Sequence, residues 1–413
     1  MLGTSWLAFI NRSHKNIAMD GRSEFKPVRK DFLTFGSPAI GEDEIGEVAN
    51  TLRSGWVGTG PKTHQFEELF RGYIGARHAI ALSSCTAALH LSLVVAGLKQ
   101  GDEVITTPMT FAATAAAIIH SGATPVFVDC EKDSMNIDPE RIGERITKKT
   151  KAILPVHFAG RAADMDRIGK IAKENGLLVI EDAAHAIETS YKGRKIGTTA
   201  DISCFSFYVT KNITTVEGGM ATTSNDDYAD KIRTYGLHGM SKGAWERYSD
   251  KGYRHYSVIF PGFKYNMTDV QASIGMHQIK KIGGYHSRRE AIWERYDEAF
   301  RDLPVTIPKK EEDDTVHARH LYTILLNIEE LDADRDAIMN DLHLENIGTG
   351  VHYVSLHLHP YYRQAYGYAP DDFPNAKFIS ERTLSLPLSA KLSDKDVDDV
   401  IQAVRKVIGH HSR

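Results

Sequence analysis

Between His78 and about residue 225, short apolar runs alternate with stretches of helical spacing. His78 to Leu82, Glu103 up to Pro108, Thr124 to Asp129, Thr150 to His157, Leu177 to Asp182 and Ile202 to Val209 read as strands rich in β-branched and aliphatic residues. Ser83 to Leu93 and the alanine-rich Ala112 to Ile119 read as helices between them. Apolar strands separated by helices predict an α/β chain with a mostly parallel sheet covered by helices on both faces. Upstream, Ile45, Val48 and Leu52, then Phe66, Leu69 and Phe70, have helical spacing, broken by the glycine-rich loop Ser54-Gly-Trp-Val-Gly-Thr-Gly-Pro61.

Downstream, Asp226 to Tyr265 is less regular and carries a charged, aromatic-rich loop around Trp245 to Tyr248. From Asp269 a helix bearing Val270, Ile274, Met276 and Ile279 leads into a long one bearing Tyr285, Ile292, Tyr296 and Phe300. Pro304 to Pro308 breaks that pattern. Beyond it come a strand (Ala318 to Ile328), a helix (Asp334 to Leu344) and a terminal helix (Lys391 to Ile408) with Val397, Val400, Val404 and Val407 on one face. The expected organisation is an extension over residues 1–30, a large α/β domain over 31–282 and a smaller α+β domain over 283–413.

Two of the strands end in chemistry. The run Leu177 to Ile180 stops at Glu181 and Asp182, and Ile202 to Val209 stops at Thr210-Lys211-Asn212. Both endings fall at the carboxyl edge of the expected sheet, where α/β folds bind ligands. A carboxylate and a lysine 29 positions apart, delivered by successive strands, suit pyridoxal phosphate. The lysine can form a Schiff base with it, while the carboxylate keeps the pyridine nitrogen protonated. Alone, either residue reads as a solvated lysine or a cap.

The blocks Glu181-Asp-Ala-Ala-His-Ala186, Ser206 to Gly219 and Gly262-Phe-Lys-Tyr-Asn-Met-Thr-Asp269 resemble the signature segments of the DegT/StrS family of sugar aminotransferases, from about Phe35 to the C-terminus. Within it they are most similar to enzymes that aminate C4 of UDP-linked 4-keto sugars, including the 4-amino-4-deoxyarabinose type. The resemblance implies the aspartate-aminotransferase fold, that is, fold type I of the pyridoxal-phosphate enzymes. It also implies transfer of an amino group from an amino acid, L-glutamate in the first place, to a nucleotide-linked keto sugar. Lys211 then carries the cofactor and moves the proton. Asp182 pairs with the ring nitrogen, Phe111 stacks on the ring, His185 lies by the ring hydroxyl, and Cys85, Thr86 and Ser206 hold the phosphate.

The same resemblance implies a homodimer with shared active sites, in which Lys264 or Asn266 reaches the partner's phosphate site. Trp56 and Thr59 become candidate substrate contacts, against an equal case for Trp56 as a packing residue. His352 and Tyr353, in Ile347-Gly-Thr-Gly-Val-His-Tyr353, become candidates on the small domain, against packing of the domain junction. His157 ends a strand and is more often a structural than a catalytic type of position. The chain departs from the family pattern at Cys85, usually glycine, at His185, usually glutamine, and at Tyr208, usually histidine. Two alternatives stay open. A sugar dehydratase of the same fold carries histidine in place of the lysine, and a regulatory homologue keeps the fold without the chemistry.

Composition narrows the field without choosing within it. Of 413 residues 42% are hydrophobic and 25% charged, ordinary for a globular protein, and the net charge of −4 excludes a strongly basic nucleic-acid face. No stretch approaches the ~20 apolar residues of a membrane span. The apolar run Trp6 to Ile10 is short for a signal-peptide core. Three scattered cysteines fit neither a disulfide framework nor a zinc pattern, so no metal is expected and the cytoplasm is the expected setting.

Overall fold

Helices α1 (Glu42–Ser54) and α2 (Pro61–Ile74) each stop at a glycine in the left-handed conformation, Gly55 (φ 75°) and Gly75 (φ 80°). They belong to a computed structural model that describes residues 26–240 and 257–413; the expected extension up to residue 25 and the Trp245 to Tyr248 loop lie outside the described residues. Next along the chain come β1 (His78–Leu82), α3 (Cys85–Val95), β2 (Glu103–Thr106), α4 (Ala112–His120), β3 (Thr124–Phe127) and β4 (Thr150–Leu154). They are followed by α5 (Met165–Asn175), β5 (Leu178–Asp182), the short ribbon β6 (Ser190–Tyr191) and β7 (Arg194–Lys195), β8 (Ile202–Ser206), β9 (Gly219–Thr223) and α6 (Asp226–Tyr235).

Seven of these strands form one sheet in the order β1-β9-β8-β5-β4-β2-β3. Every neighbour runs parallel except β9, which is antiparallel to both β1 and β8. Sequence patterning had placed β8 but not β9, whose Gly219-Met-Ala-Thr-Thr223 is too short and small to read as a strand. The predicted strands also ran several residues too long at their carboxyl ends. The extra residues leave the ladder there and form loops over one sheet edge, as Val156 does when it bridges to Asp182. One face of the sheet packs on Phe66, Phe70, Ile168 and Met276, the other on Leu89, Leu91, Ile118 and Ile232.

Helix α7 (Asp269–Phe300) is one continuous 32-residue helix. Ala272, Met276, Ile279 and Ile282 pack under the large sheet, whereas Ile292, Trp293, Tyr296 and Phe300 enter a second core. That core is built on the antiparallel sheet β10 (Val305–Thr306), β11 (Tyr322–Leu326), β12 (Thr383–Leu386) and on α8 (Arg335–Leu344) and α11 (Asp394–His411), while α9 (Pro360–Tyr366) and α10 (Pro374–Arg382) pack in a separate cluster with Met109, Ala115 and Phe127 of the large domain. Val28 and Leu33 pack on the second core too, and Arg29 pairs with Asp396 and Asp399 at 2.8 and 2.7 Å. Residues 318–321, expected within a strand, instead pair across the junction. Ala318 N–H reaches the Gly160 carbonyl (3.0 Å) and His320 N–H the Ala159 carbonyl (3.1 Å). Leu356 N–H to Pro108 and the Ser190–Val316 pair add further backbone bonds, so the cleft between the two cores has fixed walls.

One carboxylate ties the glycine-rich loop to this frame. Asp269 is buried and accepts the N–H groups of Gly60 (2.8 Å), Lys62 (3.0 Å) and Thr63 (2.9 Å) together with the Thr63 hydroxyl (2.7 Å), capping α2 from another helix. Asp269→Ala would strand these donors, so chemical denaturation should show a loss of about 3 kcal/mol. A loss under about 0.5 kcal/mol would mean that the loop is held by other contacts.

Candidate functional site

The loops that leave the carboxyl edge of β1, β2, β5 and β8 enclose a cavity of about 630 Å³. Lys211 reaches it from the turn between β8 and β9, which is held by Lys211 N–H to the Tyr208 carbonyl (2.9 Å) and Thr215 N–H to the Phe207 carbonyl (3.0 Å). The Lys211 amine has no hydrogen-bonding or ion-pair partner among the described residues. Burial brings it down to about 8 from the ordinary lysine value, against the opposing pull of the Asp182 carboxylate. About a tenth of the amine is then the free base at pH 7, far more than for a solvated lysine.

Asp182, the last residue of β5, lies on the cavity floor. Its Oδ2 accepts the Thr114 hydroxyl (2.7 Å) and its Oδ1 the Ala184 N–H (3.1 Å). Burial pushes its carboxyl above the usual range despite these bonds, so the site favours a cationic neighbour for it. Thr114 went unnoticed in the sequence. The signal available was a lone hydroxyl, itself bonded to Thr110 (2.7 Å), in the first turn of the alanine helix α4.

The N-terminus of α3 forms the next wall. Ser84 caps it by accepting the Ala87 N–H (3.1 Å), and the N–H groups of Cys85 and Thr86 have no acceptor among the described residues. Strand β9 comes close behind. A Cβ on Gly219 would sit 2.3 Å from the Ser84 carbonyl carbon and 2.4 Å from the Cys85 nitrogen, so only glycine lets this strand pass. Ser206 lies on the same side, and burial keeps the Cys85 thiol neutral. Together these groups make a donor-lined pocket of the kind that holds a phosphate.

Phe111, at the entry of α4, presents an exposed ring to the cavity, 6.1 Å from that of Tyr353. His185 accepts the Ala159 N–H on Nδ1 (3.2 Å), so its Nε2 carries the proton and donates to the Tyr353 hydroxyl (3.2 Å). His352 bonds Ser385 (2.8 Å) and stacks on Phe35, and burial with the nearby Lys211 charge pushes its imidazole down to about 3. The structure therefore brings Lys211, Asp182, His185, Phe111, Cys85, Thr86, Ser206, His352 and Tyr353 to one cavity, together with Tyr208 and Glu217. His157 lies under the floor, fully buried, with Nδ1 accepting the Ala163 N–H (3.1 Å) and Nε2 facing Glu181 at 3.6 Å.

Trp56, Thr59, Lys264 and Asn266 form a second group away from that cavity. Trp56 Nε1–H donates to the Thr59 carbonyl (3.3 Å), and Thr59 accepts from the Asn266 amide (2.5 Å). Thr59 and Asn266 line an apolar hollow of about 490 Å³ with Ile80, Leu82 and Leu237, while Lys264 is exposed. In the cofactor-free protein, reductive methylation of Lys211 should rise about tenfold per pH unit below the amine's pKa of about 8 and then level off. A plateau reached only above about pH 10 would mean an ordinary, solvated amine.

Known proteins share this layout. The profile of the DegT/DnrJ/EryC1/StrS aminotransferase family matches residues 38–405. The uncharacterized protein MJ1066 of Methanocaldococcus jannaschii is 53% identical over 93% of this chain and 100% of its own length. The spore coat polysaccharide biosynthesis protein SpsC of Bacillus subtilis is 50% identical over 92% of this chain and 98% of its own. Among solved structures, the putative sugar aminotransferase Spr1654 of Streptococcus pneumoniae in its PLP form superposes with a TM-score of 0.85 at 34% identity, covering 92% of this chain and 99% of that one. The shared architecture is fold type I of the pyridoxal-phosphate aminotransferases. This chain is a sugar aminotransferase by descent and belongs to the DegT/DnrJ/EryC1/StrS family.

Proposed function

We propose that this protein transfers an amino group from L-glutamate to C4 of a UDP-linked 4-keto sugar. The observation that carries the reading is one cavity holding a bare, desolvated Lys211 amine, a buried Asp182 carboxylate and the open start of α3. The residues fit the family's pyridoxal phosphate group by group: an amine for its aldehyde, an anion for its ring nitrogen, and free N–H groups for its phosphate. The close pass of Gly219 leaves that last cradle open. Bound there, the cofactor draws electrons away from the bonds of the amine-bearing carbon.

This chain's own residues then direct that capacity. Asp182, aimed by Thr114 and the Ala184 N–H, would keep the ring nitrogen protonated. Phe111 would offer its exposed ring for stacking, and His185, whose Nε2–H donates to the Tyr353 hydroxyl, would line the same wall. Cys85, Thr86 and Ser206 would hold the phosphate. Lys211 would hold the cofactor through its side-chain amine and, when free, would serve in the same cavity as the base that takes up and returns a proton. Its depressed pKa suits both roles, because a base working near neutral pH needs a free electron pair. His352 and Tyr353 close the far wall, where sugar or donor carboxylate would lie.

Support for the nucleotide and for C4 comes from the signature blocks around Asp182, Lys211 and Gly262 to Asp269 alone. Lys211 itself disfavours the dehydratase reading, and its pairing with Asp182 disfavours a regulatory one. The second group of residues supports a homodimer. Exposed Lys264 and the buried Asn266 Oδ1, unpartnered among the described residues, lie outside their own chain's cavity and suit delivery to the partner's. With Cys85, Cys130 and Cys204 buried and unpaired, we place the reaction in the reducing cytoplasm.

Lys211→Ala should fold normally and lose all turnover, together with the yellow colour of the loaded protein. Parent protein mixed with glutamate and a panel of UDP-, dTDP- and GDP-linked keto sugars should show the highest kcat/KM on a UDP-linked 4-keto sugar. Near-native turnover in the variant removes Lys211 from the mechanism, and a preference for another nucleotide removes the UDP assignment. Sedimentation should give twice the chain mass in every active fraction, so an active monomer would rule out shared sites.

A further inference from the structure

Behind Lys211 lies a buried polar chain that the reaction as described does not use. Arg289 of α7 pairs with Glu188, both buried. The second Glu188 oxygen accepts from the Asn212 amide nitrogen (2.7 Å), which also donates to the Ala318 carbonyl (2.8 Å). With both amide partners acceptors, the orientation of the Asn212 side chain is fixed and its Oδ1 must accept. It does so from Nδ1–H of His320 (2.8 Å). The His320 tautomer follows: the proton is on Nδ1 and Nε2 is bare.

His320 also faces the other way. Its ring packs 4.4 Å from that of His185, at 38°. His185 is in turn set by the Ala159 N–H and by Tyr353, and the His320 backbone bonds the same Ala159 residue. Burial holds both imidazoles far below their usual value, so two neutral rings meet without repulsion. One histidine from the small domain thus touches the neighbour of Lys211 and the ring beside the cofactor pocket.

We infer that His320 is a positioning residue, joining the Asn212 side of the lysine turn to the His185 wall so that the two halves of the cofactor site are set as one unit. The inference rests on Lys211 as the cofactor's anchor. Asn212 follows Lys211 directly, so a loosened Asn212 side chain frees the peptide that aims the amine. A displacement of a fraction of an ångström there is costly, because the reacting atoms must meet in a narrow range of geometry. The neutral tautomer matters as well. A protonated His320 would present a hydrogen at both nitrogens and a charge beside Lys211, whereas the amide of Asn212 can only take the Nδ1 proton already there.

The test follows the absorbance change as full-length, cofactor-free protein takes up pyridoxal phosphate at saturating concentration. His320→Phe and Asn212→Ala should each slow the covalent step roughly tenfold, and the double variant should be no slower than the worse single one, because both cut the same arm. His320→Asn, which keeps a donor for Asn212, should recover to within about threefold of the parent. KM for glutamate should stay within about twofold in all of them while kcat falls.

Multiplying effects in the double variant, an asparagine variant as slow as the phenylalanine one, or lost thermal stability with unchanged uptake would each overturn the assignment. Lys211→Ala serves as the control for the anchor itself. If it still takes up cofactor covalently, the lysine reading fails on its own evidence. If it does not and the His320 variants behave as the parent, only the present inference fails.

Discussion

A buried carboxylate without a fixed cation is the constraint on which the rest of the site depends. Asp182 lies at the end of a central parallel strand, with a hydroxyl and one N–H to hold it and, among the described residues, no guanidinium or ammonium in contact. Such a group is costly to keep charged unless a cation arrives to share its pocket. The lysine turn answers the same economy from the other side, since the Lys211 amine is desolvated until it gives up its proton more easily. Burial thus acts on both residues, raising the carboxyl and lowering the amine, at the two ends of one cavity.

The sheet explains how both arrive in one place. Parallel strands deliver every carboxyl end to the same edge, and β5 and β8 are direct neighbours, so Asp182 pairs with Cys204 in the ladder and the lysine turn begins three residues later, at Phe207. The lone antiparallel strand, β9, returns the chain alongside β8 and against the start of α3. Its first residue must be glycine for that to happen. One small residue therefore sets the distance between the lysine turn and the start of α3.

What the sequence made legible is what depends on local pattern. The strands ending at Asp182 and near Lys211, the hydroxyl-rich start of α3 and the terminal amphipathic helix all follow from periodicity and capping chemistry. Thr114, Asn212 and His320 did not stand out, because each is an ordinary residue type whose role comes from a partner far along the chain. The Asn212–His320 bond spans 108 positions, and no window of neighbouring residues contains it. Trp56, Thr59, Lys264 and Asn266 illustrate the converse. Their loops are recognisable, but none of the four lines the cavity of Lys211, and Thr59 and Asn266 line a separate apolar hollow.

Helix α7 has a consequence for how the molecule can be taken apart. Its first half contributes side chains to one core and its second half to the other, with no break between them. The join between the two bodies is thus a rigid rod and not a linker. A cut there would leave an apolar helical stump on each fragment. Exchanging the second body of this protein for that of another chain would mean grafting through the middle of a helix.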